Sequence, residues 1–232
     1  MSGDMCTSLG NGFSNLMIFL FIVKEKGGTA KGFVEGDDGL FATDVILTAE
    51  DFQKIGFTVK IHEVPHPLEA HFCGMCCSPS LEVLKNPRRV LQTFGWTHSC
   101  IHAGNGVMDQ LLRSKALSLG YELPQCPIVG VLARETIKLT SGIVARPEVR
   151  SAYRPMIVED VKLPPFNPSP EARRMVERLF SITVEQQHAA EAAIVQHDME
   201  AVGRIVPPSM VVGGVPCSDM LDYSIKYVEE RR

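Results

Sequence analysis

An α+β architecture is expected for this 232-residue chain, with an acidic-tipped antiparallel β-hairpin and flanking helices leading into a mainly helical remainder. Three features carry that expectation. Apolar residues recur at helical spacing from Cys6 to about Lys24, glycines bracket two adjacent aspartates between short apolar runs at 32–42, and from about residue 86 the apolar pattern is chiefly helical. With 45% apolar and 22% charged residues, the chain can bury a substantial core in one or two domains, which excludes a disordered or fibrous protein.

The elements follow in order. Leu9, Phe13, Leu16, Met17 and Leu20 place a largely buried helix between Cys6 and Lys24, ended by Gly27-Gly28. Gly32 to Glu35, the tight turn Gly36-Asp37-Asp38-Gly39 and Leu40-Phe41-Ala42 predict a β-hairpin with an acidic tip. Thr48-Ala49-Glu50-Asp51 reads as a helix start with Gly56 as its stop, and Phe57 to Ile61 as a strand.

His71 to Cys77 and Leu81 to Leu84 predict a second hairpin across Ser78-Pro79. Met108, Leu111, Leu112, Ala116 and Leu119 mark one helix, and Ile128 to Ile137 another. Five prolines between Pro155 and Pro170 make a stiff, extended connection. Beyond it, Met175, Val176 and Leu179 share a helical face, and Thr183-Val184-Glu185-Gln186 fits a capping box opening a helix that Gly203 closes.

Leu16 to Val23 is the longest strongly apolar run, far short of the roughly 20 residues that cross a bilayer. No basic signal-peptide region precedes it, so a soluble protein is expected. The seven cysteines, Cys6, Cys73, Cys76, Cys77, Cys100, Cys126 and Cys217, form an odd, irregularly spaced set. That argues for reduced thiols in a cytosolic setting over a disulfide framework.

The net charge of −4 is unevenly distributed: residues 1–80 hold 5 Lys and no Arg against 10 acids, whereas residues 81–154 hold 10 Lys and Arg against 5 acids. An acidic first part followed by a basic second part fits metal chemistry beside a polyanion.

Asp37 and Asp38, adjacent at a glycine-flanked turn, bring hard oxygen ligands into one small volume, as a Mg²⁺ ion shared with phosphates requires. Alone, such a turn also reads as a solvated one, because Asp and Gly dominate turns for backbone reasons. On the preceding helix Thr7 and Asn11 project from one side, four residues apart, and Asn15 extends the row. Small neutral donors and acceptors on a helix this apolar suit a hydroxylated ligand such as a sugar, against the plain alternative of an N-cap and a solvent face.

The string Ser2-Gly3-x-x-x-Thr7-x-x-x-Asn11, then Gly36-Asp37-Asp38 after an apolar helix, then Gly56-Phe57-Thr58-Val59-Lys60, then Phe72-Cys73, resembles motifs B, C, D and E of positive-strand RNA virus RNA-directed RNA polymerases, in order. Thr-Ser-Leu-Gly-Asn at 7–11 and Gly-Phe-Thr-Val-Lys at 56–60 are most similar to the tombusvirus-like group. The resemblance covers roughly residues 1–85. It implies a partial polymerase palm over 1–85 and a thumb with C-terminal helices over 86–232, with the proline-rich connection at 155–170.

The resemblance further implies that Asp37 coordinates catalytic Mg²⁺ (or Mn²⁺), with Asp38 as the lesser carboxylate. Ser2 and Gly3 would form a mobile loop following the template and nascent base pair. Thr7 and Asn11 would help recognise the ribose 2′-hydroxyl of NTPs, and Lys60 would protonate the departing pyrophosphate. A plain surface lysine at a strand end is the rival reading of Lys60. Phe72-Cys73 would support the primer end, and Lys85, Arg88, Arg89, Arg113 and Lys115 would meet template and nascent RNA backbone or simply be solvated. A host-cytoplasm location is implied, in replication complexes of the kind that associate with membranes.

Polymerases of this type use a further aspartate motif upstream of motif B and a fingers domain with basic residues for the triphosphate. The chain begins one residue before motif B, and no Asp-containing segment is placed to substitute. It is therefore expected not to polymerise alone, and to be a truncated product, a fragment, or the partner of a separately encoded N-terminal half.

Three other readings compete. Cys73-x-x-Cys76-Cys77, with His62, His66 and His71 upstream and His98 and His102 downstream, offers a zinc-binding structural module, though without a clean second ligand pair. A non-catalytic RNA-binding remnant would keep the fold without turnover. A reverse transcriptase shares paired palm aspartates, but Gly36 where an aromatic-x dipeptide is usual, and the Thr7/Asn11 pair, argue against it.

Overall fold

The computed structural model describes residues 6–95, 104–145 and 162–207, together with strand pairs at 211–212 and 215–216. The architecture is mixed α+β: eight α-helices and small two-stranded sheets, among the described residues. The chain divides into two compact units, residues 1–76 and 77–232.

In the first unit, helix α1 (Thr7–Glu25) is followed by strands β1 (Ala30–Glu35) and β2 (Asp38–Thr43) and by the short helix α2 (Ala49–Gln53). Gly27, at φ +74°, turns the chain out of α1, where its N–H and that of Gly28 donate to the carbonyls of Lys24 and Val23. β1 and β2 pair antiparallel in a register running from Ala30↔Thr43 to Glu35↔Asp38. Across the open end of this hairpin, Asp44 accepts from the backbone N–H of Thr29 at 2.6 Å and from its hydroxyl at 2.8 Å.

α1 packs on the hairpin through a face other than the expected one. Phe19 stacks on Phe41, with ring centroids 3.6 Å apart and planes 9° from parallel, and Phe19 also meets Phe52 of α2 at 6.4 Å. Ile22, Val23 and Phe52 are buried. By contrast Leu9 and Phe13 are 75% and 63% exposed, and Met17 and Leu20 are exposed too. The helix is thus not largely buried: its hairpin-facing stripe runs Ser8, Gly12, Asn15, Phe19, Ile22, at the i, i+4, i+7, i+11, i+14 spacing of one helical face. A hairpin offers only one narrow ribbon, so a helix this apolar all round keeps much of its apolar surface uncovered.

α2 begins with a reciprocal cap, in which the Asp51 carboxylate accepts from the N–H and hydroxyl of Thr48 at 2.9 and 3.0 Å. Gly56, at φ +87°, follows it. Phe57 to Ile61, expected as a strand, is not one, and Phe57 and Ile61 are exposed. Its alternating pattern suits a pleated edge, but strand geometry needs a ladder partner, and among the described residues β1 and β2 pair only with each other. Farther on, His66 caps the single turn Pro67–Glu69 by accepting from the Leu68 N–H at Nδ1.

β3 (Met75–Cys77) and β4 (Val83–Lys85) form the expected second hairpin. Six helices follow: α3 (Pro87–Thr93), α4 (Asn105–Glu122), α5 (Val129–Leu139), α6 (Pro170–Phe180), α7 (Val184–Val195) and α8 (Met199–Ile205). α4 packs on α5, α5 on α7, and α7 on both α6 and α8. Leu117, Leu123, Ile128, Leu132, Val176 and Ile194 are among the buried residues of this unit.

Thr183 caps α7 as expected, accepting from the Gln186 N–H while Gln186 accepts in return from the Thr183 N–H. Gly203, however, does not close that helix. α7 ends at Val195, His197 turns the chain at φ +60°, and Asp198 caps α8, inside which Gly203 lies. Polar capping by Asp198 outweighs the cost of about 1 kcal/mol that a glycine carries within a helix.

Of the proline-rich stretch, residues 162–169 form neither helix nor strand and are docked. Gln125 donates to the Pro165 carbonyl at 2.7 Å and accepts from the Asn167 N–H, Arg134 donates to the Pro164 carbonyl, and Phe166 lies 5.8 Å under the Arg134 guanidinium. Pro170 itself is the first residue of α6. Pro155 lies outside the described residues.

Candidate functional site

The site begins with a loop of two residues. Glu35 and Asp38 are cross-strand partners, so only Gly36 and Asp37 connect β1 to β2. Gly36 has φ +58°, the conformation a type II′ hairpin turn requires at its first loop position and the one glycine adopts without steric cost. Asp37 therefore stands at the apex and Asp38 opens β2, and both are exposed.

α1 holds this apex by three consecutive residues of its hairpin-facing stripe. Ser8 Oγ donates to Glu35 Oε1 at 2.7 Å, and Asn15 Nδ2 donates to the backbone carbonyl of Asp37 at 3.0 Å. Between them Gly12 is buried, and a Cβ there would stand 3.5 Å from the Gly36 nitrogen. The loop backbone thus lies directly on the helix, and the carboxylates of Asp37 and Asp38 remain in solvent.

Phe72 and Cys73 lie against the same hairpin. Cys73 and Gly74, at φ +52° and +73°, form a second two-residue loop, closed by Phe72 and Met75 exchanging backbone hydrogen bonds of 2.8 and 3.0 Å. The Phe72 ring sits 6.4 Å from that of Phe33 on β1. Burial pushes the Cys73 thiol pKa up, and the Asp38 charge, a hydrogen bond to Asp38 and the charge of Glu35 push it further the same way. Glu35, Asp38 and Cys73 therefore form one electronegative corner.

Thr7 is half-buried in the first turn of α1, and Asn11 is exposed one turn later. Asn11 falls three residues after Ser8 and four before Asn15, so it flanks the row that grips the turn. Lys60 is exposed within the irregular stretch after α2, and among the described residues no hydrogen bond or ion pair joins it to Asp37 or Asp38. Ser2 and Gly3 lie outside the described residues, as do His98 and His102.

Among the described residues, no group of three or more His, Cys, Asp or Glu side chains is arranged to hold a metal ion. Asp37 and Asp38 offer hard oxygen donors suited to Mg²⁺ or Mn²⁺, as one part of a ligand set. His66, weighed as a zinc ligand, is engaged in capping, and Cys76 is buried. Ser8, Gly12 and Glu35 were not evident as site residues from the sequence. The spacing 8, 12, 15, 19 carries the signal, but the stronger apolar periodicity beside it masks it.

Compared with protein-family models, with curated proteins and with solved structures, the chain matches none. Among the described residues no helix is long and apolar enough to cross a membrane.

Proposed function

We propose that the chain is the C-terminal palm and thumb portion of a viral RNA-directed RNA polymerase of the positive-strand, tombusvirus-like kind. The observation that carries the reading is the grip of α1 on the Gly36-Asp37 loop. The helix bearing Thr7 and Asn11 and the turn bearing paired carboxylates come from separate stretches of sequence, yet join at one corner with Phe72-Cys73 beside it. These are three of the segments that the four ordered motifs single out; the fourth, Gly56 to Lys60, makes no hydrogen bond or ion pair with the turn among the described residues.

On this reading Asp37 and Asp38 hold Mg²⁺ or Mn²⁺, which supplies charge neutralisation for in-line attack of a primer 3′-oxygen on the α-phosphorus of an NTP. Thr7 and Asn11 hydrogen-bond the ribose hydroxyls and so favour NTP over dNTP. As the new P–O bond forms, the 3′-hydroxyl gives up its proton to solvent, the bond to pyrophosphate breaks, and Lys60 donates a proton to that leaving group. RNA template, nascent RNA and NTPs are the partners, together with the fingers and upstream palm that would supply the remaining aspartate ligand. The chain alone is then inactive.

Mixing the chain with its upstream half and measuring templated incorporation of labelled NTP tests this. Incorporation lost with Asp37→Ala is the expected result. Incorporation indifferent to that change, or robust with dNTPs alone, would sink the assignment. A non-catalytic remnant would bind RNA in the same mixture without turnover.

A further inference from the structure

We infer that Asn15 is a positioning residue for Asp37, fixing through its side-chain amide the backbone from which that carboxylate projects. The inference rests on the polymerase reading of the turn. It concerns a residue one helical turn beyond Asn11, outside the string that carries the resemblance.

A loop of two residues, one of them glycine, has little of its own to fix its conformation, since Gly36 carries no Cβ and visits φ of either sign freely. What holds it is α1. Asn15 Nδ2 reaches the Asp37 carbonyl at 3.0 Å, Ser8 ties down Glu35 on the strand just before the loop, and Gly12 lies buried against the backbone of Gly36 between them. The grip falls on the main chain of Asp37 and leaves both oxygens of its side chain unengaged among the described residues. This is the arrangement a metal-holding carboxylate needs, because a backbone already ordered has less freedom to lose when the ion binds. Asn15 suits the task because its amide donates to a carbonyl without adding charge beside the carboxylates.

The test titrates Mn²⁺ into the ¹⁵N-labelled full chain and follows paramagnetic broadening of the Asp37 and Asp38 amide signals, with Asp37→Ala as the control for site. Asn15→Leu keeps the side-chain shape and removes the donor. Asn15→Ser, polar and short, serves if the leucine variant misfolds. The expected result is that either variant needs about fivefold more Mn²⁺ for the same broadening, on the scale of one neutral hydrogen bond.

A variant that titrates like the parent would overturn the inference. Should the parent show no broadening that depends on Asp37, the two carboxylates hold no Mn²⁺ without the upstream aspartate, and the templated-incorporation experiment alone judges the polymerase reading. Amide hydrogen exchange at Asp38 and Gly39 then decides the positioning by itself: faster exchange in Asn15→Leu sustains it, and unchanged exchange ends it.

Discussion

Phe19 of α1 and Phe41 of β2 stack with centroids 3.6 Å apart and planes within 9° of parallel, so one ring pair joins the helix to the strand leaving the acidic turn. Both rings are only half-buried. Phe41→Ala is expected to destabilise the first unit by about 2 kcal/mol, combining lost apolar burial with the loss of the aromatic pair. Urea unfolding followed by circular dichroism would measure it. Phe13→Ala, on the exposed side of the same helix, is expected to change stability by less than about 0.5 kcal/mol.

Cys73 faces Asp38, and its thiol is held above the ordinary range first by burial and then by that carboxylate. Asp38→Asn removes a charge that opposes the thiolate, so more thiolate forms at pH 8. Alkylation of Cys73 by iodoacetamide, resolved by peptide mass spectrometry, is expected to accelerate by about threefold, within the shifts a neighbouring charge produces. The exposed Cys77 serves as the internal standard.

Lys26 pairs with Asp51 at 2.5 Å, and Asp51 also accepts from Thr48. The hydrogen bond from Lys26 leads the causes that hold the Asp51 carboxyl well below the usual carboxylate range. Because the folded pKa lies below the unfolded value of about 3.9, the stabilisation is complete well above that value and is lost as pH falls below it. Melting temperature recorded from pH 6 to pH 2 should fall less steeply for Asp51→Asn than for the parent. Parallel curves would show that the pair contributes nothing.

Glu191 is 8% exposed and serves two elements of the helical unit. It accepts from both terminal nitrogens of Arg173 at 3.0 Å and from the backbone N–H of Ile128 at 2.9 Å, where the chain enters α5 at φ +67°. Glu191→Ala leaves a largely buried guanidinium and a buried N–H unpaired, at a cost of about 3 kcal/mol. Denaturant midpoints measure this, and a cost below about 1 kcal/mol would show that water reaches the pair.

Gly130 lies in α5 beneath Phe166. A Cβ there would come within 2.9 Å of the Pro124 carbonyl oxygen and 2.8 Å of the Phe166 ring. Alanine would gain about 1 kcal/mol of helix propensity, but the Pro124 contact is backbone and yields little. Gly130→Ala is therefore expected to lower stability by about 1 kcal/mol net and to speed proteolysis at 162–169. A more stable variant would mean that the docked segment is only loosely held.

The α+β character, the acidic hairpin, the second hairpin and most of the helices were legible because each rests on local chemistry. Glycine at 36 permits the two-residue turn, Thr48 and Thr183 cap their helices, and the apolar spacing of 108–119 and 175–179 marks helical faces. Phe57 to Ile61 misled because a strand depends on a partner as much as on its own residues. Gly203 misled because the Asp198 cap restarts a helix across it. Of the candidate site, Asp37, Asp38, Thr7 and Asn11 could be named from residue type and spacing, whereas the grip on the turn could not.

Local chemistry placed the turn, since Gly36 can take the positive φ that a two-residue loop needs and the period of a strand sets the pairs on either side of it. Tertiary structure alone decided which side of α1 meets it. Hydrophobicity is non-directional and favoured Leu9, Phe13 and Leu20, but contact with a narrow ribbon is won by shape and hydrogen bonding. Ser8 and Asn15, with donors in reach of Glu35 and the Asp37 carbonyl, and Phe19, stacked on Phe41, settle which face docks.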